Sequence, residues 1–573
     1  MKKYIMFLLI IISPLFYSIQ SFAVSSQNLP WIDSQAYSTL TAADVYAAAH
    51  EKSLYVTKNY IASGGTMTFT SNVVIEGGTL TCSGGKYYFS KIFNAKEIKV
   101  FPGCGVGDVK FGKGAVKEIL LEWFGAVGDA VVSTGAGTDD STAMQAAVDS
   151  IGGSTGVGGT IQALNKTYKG NFVTKSNVTI KGQGEEKTIF IPAINDAVIK
   201  TPLDVSTVRI AFEGFTITAP ATQATFTAQD GIVLKTTTAS TWVDTVTIDR
   251  VNISFCGRYG LHTYGESSSG PFVQRLRIYN SSFYDNTRSG LRMEGAAYET
   301  TLLNFWSNRN GGSAGTYPNA ELIYNAVGGG SSPNRVTWIG GGANHHLAAS
   351  IGNPGVALDI LHATQINLIG LDFENANPMI RIDGSLTRSV NITGSNFGSA
   401  YAAASYITIR AGSAIVIEGN TFSSPVGPTR YIWQDAGTIA SIVKIKITDS
   451  NLFGLNNSRP VTLASSQTIS GGSINLYRDQ MYIDTESAAA SDNLDYIKDH
   501  VGATPNEKIP QGALVTISPA NDARDVVVKH GTGNIYLNGH ADFTMDSIYD
   551  SLTLQWRAGT GLDLWVEYSR SKY

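Results

Sequence analysis

The sequence predicts an all-β fold: a right-handed parallel β-helix of about ten coils, with an N-terminal cap region and a C-terminal β module. Three observations predict it. A strand-like pattern returns about every 24 to 38 residues along the chain. Its fifth position repeatedly holds a residue that tolerates a left-handed backbone. The composition, with 60 Gly in 573 residues and only 15% charged residues, suits many turns and long two-faced strands, since soluble globular proteins usually carry roughly 25% charged residues.

The pattern is apolar, any residue, apolar, with another apolar residue at the eighth position. It begins at Val208 (VRIAFEGF), Val246 (VTIDRVNI), Leu276 (LRIYNSSF), Ile366 (INLIGLDF), Val390 (VNITGSNF), Ile415 (IVIEGNTF) and Ile445 (IKITDSNL). Weaker copies begin at Val178, Leu303 and Val336. The fifth position is Gly182, Asn280, Gly340, Gly370, Gly394, Gly419 or Asp449 in most copies, so a two-faced strand, a left-handed bend and a second strand form one corner of a coil. Helical solenoids would need apolar spacing of three and four, and the period here is two. A third strand sits between copies, at GIVLK (Gly231), GLHTY (Gly260), GLRME (Gly290), AELIY (Ala320), ALDIL (Ala357), MIRID (Met379), YITIR (Tyr406) and YIWQD (Tyr431). Alternation turns Leu291 and Met293, Leu358 and Ile360, and Ile380 and Ile382 inward.

Ahead of the ladder, Asp139, Asp140 or Ser141 can cap a helix whose Met144, Ala147, Val148 and Ile151 make one apolar stripe. A solenoid end needs such a cap to cover its open core. In this segment Glu122, Phe124, Gly125, Asp129, Asp139, Asp140 and Gln145 resemble the opening motif of the pectate-lyase superfamily, in its rhamnogalacturonase and epimerase-like branch, which includes tailspike depolymerases. The resemblance covers about residues 121–455 and implies the right-handed β-helix and a polysaccharide substrate. It leaves the reaction open among hydrolysis, elimination and epimerisation. The tail also resembles the terminal module of tailspike-like proteins, which implies a homotrimer.

Residues 1–23 have a basic start, an apolar stretch and a small-residue exit, the layout of a cleavable secretory signal. The expected divisions are this signal, a strand-rich cap region at 24–118 with an early helical run AADVYAAAHEK, the β-helix at 119–460, a connecting segment at 461–512 and the β module at 513–573. A secreted or periplasmic protein is expected, with no membrane association after cleavage. The net charge of −4 and pI near 6.1 argue against a nucleic-acid partner. Cys82 and Cys104 either pair or stay as buried thiols, Cys256 reads as a core filler, and no metal-ligand spacing occurs.

Stacked strands about 4.8 Å apart make a regular face on which a linear polysaccharide can lie. The outward positions of the third strand read His262 and Tyr264, Arg292 and Glu294, Glu321, Asp359, Arg381 and Asp383, Arg410, then Trp433 and Asp435. Glycoside hydrolysis needs two carboxyl groups, and adjacent or alternate strands bring carboxyls to roughly 5 or 10 Å. Glu294, Asp359 and Asp383 are therefore the candidate acid and base residues. His262, Tyr264, Arg292, Arg381 and Trp433 are candidate substrate contacts. Glu294 and Asp359 are expected two coils apart, Asp359 and Asp383 on neighbouring coils. Hydrolysis would need no cofactor; a lyase would use His262, Tyr264 or Arg292, and often Ca²⁺. Solvated cross-strand ion pairs account for the same residues without chemistry, in a binding or adhesion rod. Asp372 and Glu374, and His345 and His346, are second-tier candidates on another face or bend, where bend polarity explains them as well.

Overall fold

The computed structural model describes residues 31–153, 156–220, 226–266, 270–311, 317–323, 331–344, 355–376, 378–398, 405–423, 430–435, 445–447, 452–454, 467–475, 480–498, 507–508, 512–557 and 564–573. The signal segment at 1–23, His345, His346 and Asp449 lie outside them. The chain divides into two compact units, residues 1–130 with 137–183, and residues 131–136 with 184–573.

In the first unit, parallel strands begin before the predicted ladder. Trp31–Asp33, Ser53–Val56, Asn72–Ile75 and Phe93–Ala95 form one sheet, and Thr66–Phe69, Lys86–Phe89 and Val109–Phe111 another. Like side chains stack along the coils: the Phe69, Phe89 and Phe111 rings follow one another with centroids 4.7 and 5.2 Å apart. The early helical run forms Leu40–Ala49, capped by the Thr39 hydroxyl accepting from the Ala42 N–H at 3.1 Å. Cys82 and Cys104 form a disulfide.

The helix predicted before the ladder is Ser141–Ile151, with Met144, Ala147, Val148 and Ile151 buried. Asp139 and Asp140 divide the work at its start. Asp139 accepts from the Ser141 N–H at 2.9 Å, while Asp140, at the cap position, turns away and accepts from the N–H groups of Val127 and Gly128 at 2.7 and 3.1 Å. Both aspartates thus tie the motif loop to the helix.

The second unit is a parallel β-helix. Val246 pairs with the level of Leu276, and Val336, Ile366, Val390, Ile415 and Ile445 stand in one register, as the sequence pattern implies. Two copies are shifted. Ile210, not Val208, aligns with Val246, and Thr300, not Leu303, aligns with Val336. At Val208 the period-two pattern slips by two along the strand, while Leu303, three residues from the start of its coil, faces outward and is 43% exposed; in both coils the left-handed corner fixes the level. With the corrected starts, every described fifth position of the second unit has positive φ, at Gly214, Arg250, Asn280, Asn304, Gly340, Gly370, Gly394 and Gly419. Gly182, which belongs to the first unit, does not. A second left-handed corner lies one residue before each start, at Arg209, Thr245, Arg275, Glu299, Arg335, Gln365, Ser389 and Ala414. No Gly or Asn marks that corner, so the sequence gives no sign of it.

The core is continuous along the coils. Phe373, Phe397 and Phe422 stack with centroids 5.2 and 4.7 Å apart at 10°. Buried Asn286 and Asn310 continue the ladder in polar form, each side-chain oxygen accepting a backbone N–H of the preceding coil. Cys256 is a buried thiol in this core, its pKa raised by desolvation.

The strands at 467–498 pair with those after 513. Gln480–Asp484 lies beside Leu514–Pro519, and Ser491–Leu494 beside Asp525–Val528. Ile469, Met481, Leu494 and Ile497 share one core with Val515, Leu554 and Trp565.

Candidate functional site

The third strands form one parallel sheet from Ile199–Lys200 through Ile232–Lys235, Leu261–Gly265, Leu291–Gly295, Ala320–Ile323, Leu358–Leu361, Ile380–Asp383, Ser405–Ile409 and Arg430–Asp435. Leu291, Met293, Leu358, Ile360, Ile380 and Ile382 are fully buried, so the alternate residues face outward. They stand in two columns. One runs His262, Arg292, Glu321, Asp359, Arg381, Thr408; the other runs Lys235, Tyr264, Glu294, Ile323, Leu361, Asp383.

This register corrects the expected grouping of carboxylates. Asp359 and Asp383 are on neighbouring strands, but Asp359 is level with Arg381, and Asp383 with Leu361. Glu294 and Asp359 are two strands apart in different columns. Glu294 and Asp383 share a column but are three strands apart, roughly 14 Å, with Ile323 and Leu361 between them.

Asp359 is held by Arg381 in a two-point fork, Nε to Oδ1 at 2.9 Å and Nη2 to Oδ2 at 2.5 Å. Asp383, with 30% of its side chain exposed, accepts from the Gly384 N–H at 2.6 Å and has Arg410 3.9 Å away. Tyr264 lies under the Lys235 ammonium, 4.0 Å from its ring centre. Trp433 is level with Thr408 by its backbone.

The densest chemistry gathers around His262, Arg292 and Glu294. The His262 Nε2 is 3.1 Å from Glu294 Oε2. Arg292 donates from Nε to the same Glu294 oxygen at 2.9 Å and from Nη1 to Glu321 Oε2 at 3.0 Å. Ser289 donates its hydroxyl to Glu321 Oε1 at 2.6 Å. The two glutamates therefore share one arginine but sit in different surroundings. For Glu294 burial works toward the acid, yet His262 and Arg292 outweigh it and hold the carboxyl down at about 2. For Glu321, with only 7% of its side chain exposed, burial wins over Arg292 and Ser289 and raises the pKa above the ordinary value.

Sequence reasoning passed over the layer behind this pair. Asp230, fully buried, takes a fork from Arg258 at 2.8 and 2.5 Å and accepts from the Tyr259 N–H at 3.0 Å. The guanidinium carbons of Arg258, Arg288 and Arg292 lie 5.3, 5.6 and 5.1 Å from the Tyr259 ring centre. Burial raises the Tyr259 pKa. Arg288 also lies over Tyr317 at 4.8 Å and donates to the Tyr259 hydroxyl at 3.3 Å. Arg292 and Arg381 are engaged by protein carboxylates, whereas Arg288 makes no ion pair among the described residues. A signal was present: Arg258 and Arg288 stand at the same offset, two residues before the Gly that opens their strands.

Among the described residues no three His, Cys, Asp or Glu side chains gather into a metal-binding group. Glu294, Glu321 and Asp359 accept from Arg or Ser donors, while Asp383 accepts from the Gly384 N–H.

No family model and no curated protein matches this sequence. Similar solved structures include the A-module of mannuronan C-5 epimerase AlgE4 from Azotobacter vinelandii, 16% identical, covering 59% of this chain and 97% of that one with TM-score 0.42. They also include PfbA, a surface adhesin of Streptococcus pneumoniae, 14% identical over 78% of this chain and 99% of that one, TM-score 0.39. A third is the gp42 tailspike of Acinetobacter phage vb_AbaP_AS12, 12% identical over 80% of this chain and 82% of that one, TM-score 0.39. The parallel β-helix itself rests on the strand register of this chain.

Proposed function

We propose that this face binds an acidic polysaccharide and cleaves it by hydrolysis. The observation that carries the reading is the pair Glu294 and Glu321: two carboxyls on adjacent strands, joined by Arg292, one held ionised and the other pushed toward its protonated form. Environments that split two carboxyl pKa values are what acid and base roles require. Glu294 is the base or nucleophile, and Glu321 protonates the leaving oxygen. Arg292 positions both. Arg288, beside Tyr259 and Tyr317 and without a carboxylate partner among the described residues, takes the carboxylate of the incoming sugar.

Export fits the same reading, because a disulfide such as Cys82–Cys104 persists in oxidising compartments, and no helix among the described residues is long and apolar enough to cross a membrane. A homotrimer belongs to the proposal through the tailspike-like resemblance, and sedimentation tests it.

The test is to incubate the mature protein with acidic and neutral polysaccharides, following chain length together with absorbance near about 235 nm, where unsaturated uronic products of β-elimination absorb. Hydrolysis predicts shortening without new absorbance, lost in Glu294→Gln and Glu321→Gln. Shortening with absorbance would replace this reading by elimination, with His262 and Tyr259 as the groups to mutate.

A second reading has its own observation. Arg292, Glu294 and Glu321, and separately Asp359 and Arg381, satisfy one another, as structural cross-strand pairs do. On that reading the face is a non-catalytic binding surface, and binding without shortening, unaltered by both Gln variants, would favour it.

A further inference from the structure

The sheet that follows the fifth-position bend has a surface of opposite character. Its outward column runs Ser282, Trp306, Gly342, Asp372, Asn396 on successive strands, while Phe283, Ala343, Phe373 and Phe397 alternate inward and are fully buried. Neither this column nor the one beside it, with Tyr284, Asn344 and Glu374, holds a Lys or Arg.

Trp306 is half-buried. Level with it on the next strand is Gly342, where a Cβ would meet the Asp372 carbonyl oxygen at 1.9 Å. Only glycine lets these strands pass, and no side chain then stands between Trp306 and Asp372, which are two strands or roughly 10 Å apart. On the other side, Tyr284 and the 55%-exposed Phe255 continue the aromatic character, their rings 6.4 Å apart. The polar end is fixed in place. Asp372 accepts from Asn344 Nδ2 at 2.9 Å and from Asn396 Nδ2 at 2.8 Å, one on each oxygen. Asn344 accepts in turn from the Glu374 N–H at 3.0 Å. A carboxylate has about four lone-pair sites, so both Asp372 oxygens can still receive a ligand hydroxyl.

An aromatic ring, a bare floor and an oriented carboxylate with amides on a regular face are the parts that hold a sugar: an apolar platform for the ring's C–H face and a few placed polar groups for its hydroxyls. We propose that this surface is a second saccharide-binding site, specific for a neutral glycan, with Trp306 as the stacking platform and Asp372 with Asn396 as the hydroxyl contacts. Neutrality follows from charge. Among the described residues Asp372 is held by amide donors alone, so its charge repels a uronate chain and favours a hydroxyl-rich one. The site therefore selects against the acidic chains that the arginines around Tyr259 favour, and its binding does not depend on cleavage.

The experiment is affinity electrophoresis of the full chain in native gels containing hydroxyethylcellulose, glucomannan or soluble starch, with alginate and polygalacturonate as acidic probes. At least one neutral polymer is expected to retard the protein. Trp306→Ala is expected to weaken that retardation at least about ten-fold, and Asp372→Asn several-fold. Trp306→Phe, which keeps a ring, retains most of it, and Tyr549→Ala, an exposed aromatic elsewhere, leaves it unchanged. Melting curves on the Trp306 variants establish that they are folded. The proposal is overturned if no neutral polymer retards the protein, if folded Trp306→Ala binds as the parent does, or if Tyr549→Ala alone removes binding.

Discussion

Replacing Glu294 by Gln tests whether the ionised carboxylate at the centre of the charged face is held there by its neighbours. Its pKa of about 2, against an ordinary 4.5, corresponds to about 3 kcal/mol at 1.36 kcal/mol per unit, and to about 2 kcal/mol once solvent reaching its 18%-exposed side chain is allowed for. The folded pKa is lowered, so the contribution is fully present above the unfolded value and is lost as pH falls from about 4.5 toward about 2. Glu294→Gln should therefore be about 2 kcal/mol less stable than the parent at pH 7, with the gap shrinking by pH 3. Stacked coils need not unfold in one step, so the assay is amide exchange of strand Leu291–Gly295 at several pH values, supported by urea unfolding. A gap equally large at pH 7 and pH 3 would refute the reasoning, because the loss would then come from packing rather than from charge. No gap at pH 7 would refute it as well, since His262 and Arg292 could not then be favouring the anion.

Arg288→Gln should lower affinity for an acidic polysaccharide about ten-fold, measured by calorimetry, because it removes a cation that no carboxylate among the described residues engages; an unchanged affinity would assign that role elsewhere. Gly370→Ala should cost only about 1 kcal/mol, since its added Cβ meets nothing within 4 Å and the penalty is that of φ +62° alone, whereas Gly342→Ala should cost several-fold more because backbone must move. Thermal denaturation compares the two. Replacing both Cys82 and Cys104 by Ser should destabilise the first unit by about 3 kcal/mol, given the short loop that their bond closes, and the loss should match that of the reduced parent protein.

The sequence by itself determined the coil. Period-two apolar positions make strands with a buried face, and Gly or Asn at Asn280, Gly340, Gly370, Gly394 and Gly419 are the cheapest residues at a left-handed corner, so these local preferences name the architecture before any long-range contact is known. They also placed His262, Arg292, Glu294, Asp359, Arg381 and Asp383 outward on one sheet. Tertiary structure decided the rest, because neighbouring coils meet across about 30 residues and nothing local says which level faces which. Stacking set Thr300 rather than Leu303 at the start of its coil and imposed left-handed corners on Arg209, Thr245 and Glu299, where the chain must turn whatever its side chain. It put Arg381 opposite Asp359, and so separated the carboxylates that looked like partners. It enclosed Glu321 beneath Ser289 and Arg292, and desolvation is a property of what surrounds a group. The anion character of Glu294 thus comes from Arg292 on its own strand together with His262, one strand away in space and 32 residues away in the chain, and the raised pKa of Glu321 from its burial against Arg292 and Ser289 on the neighbouring coil.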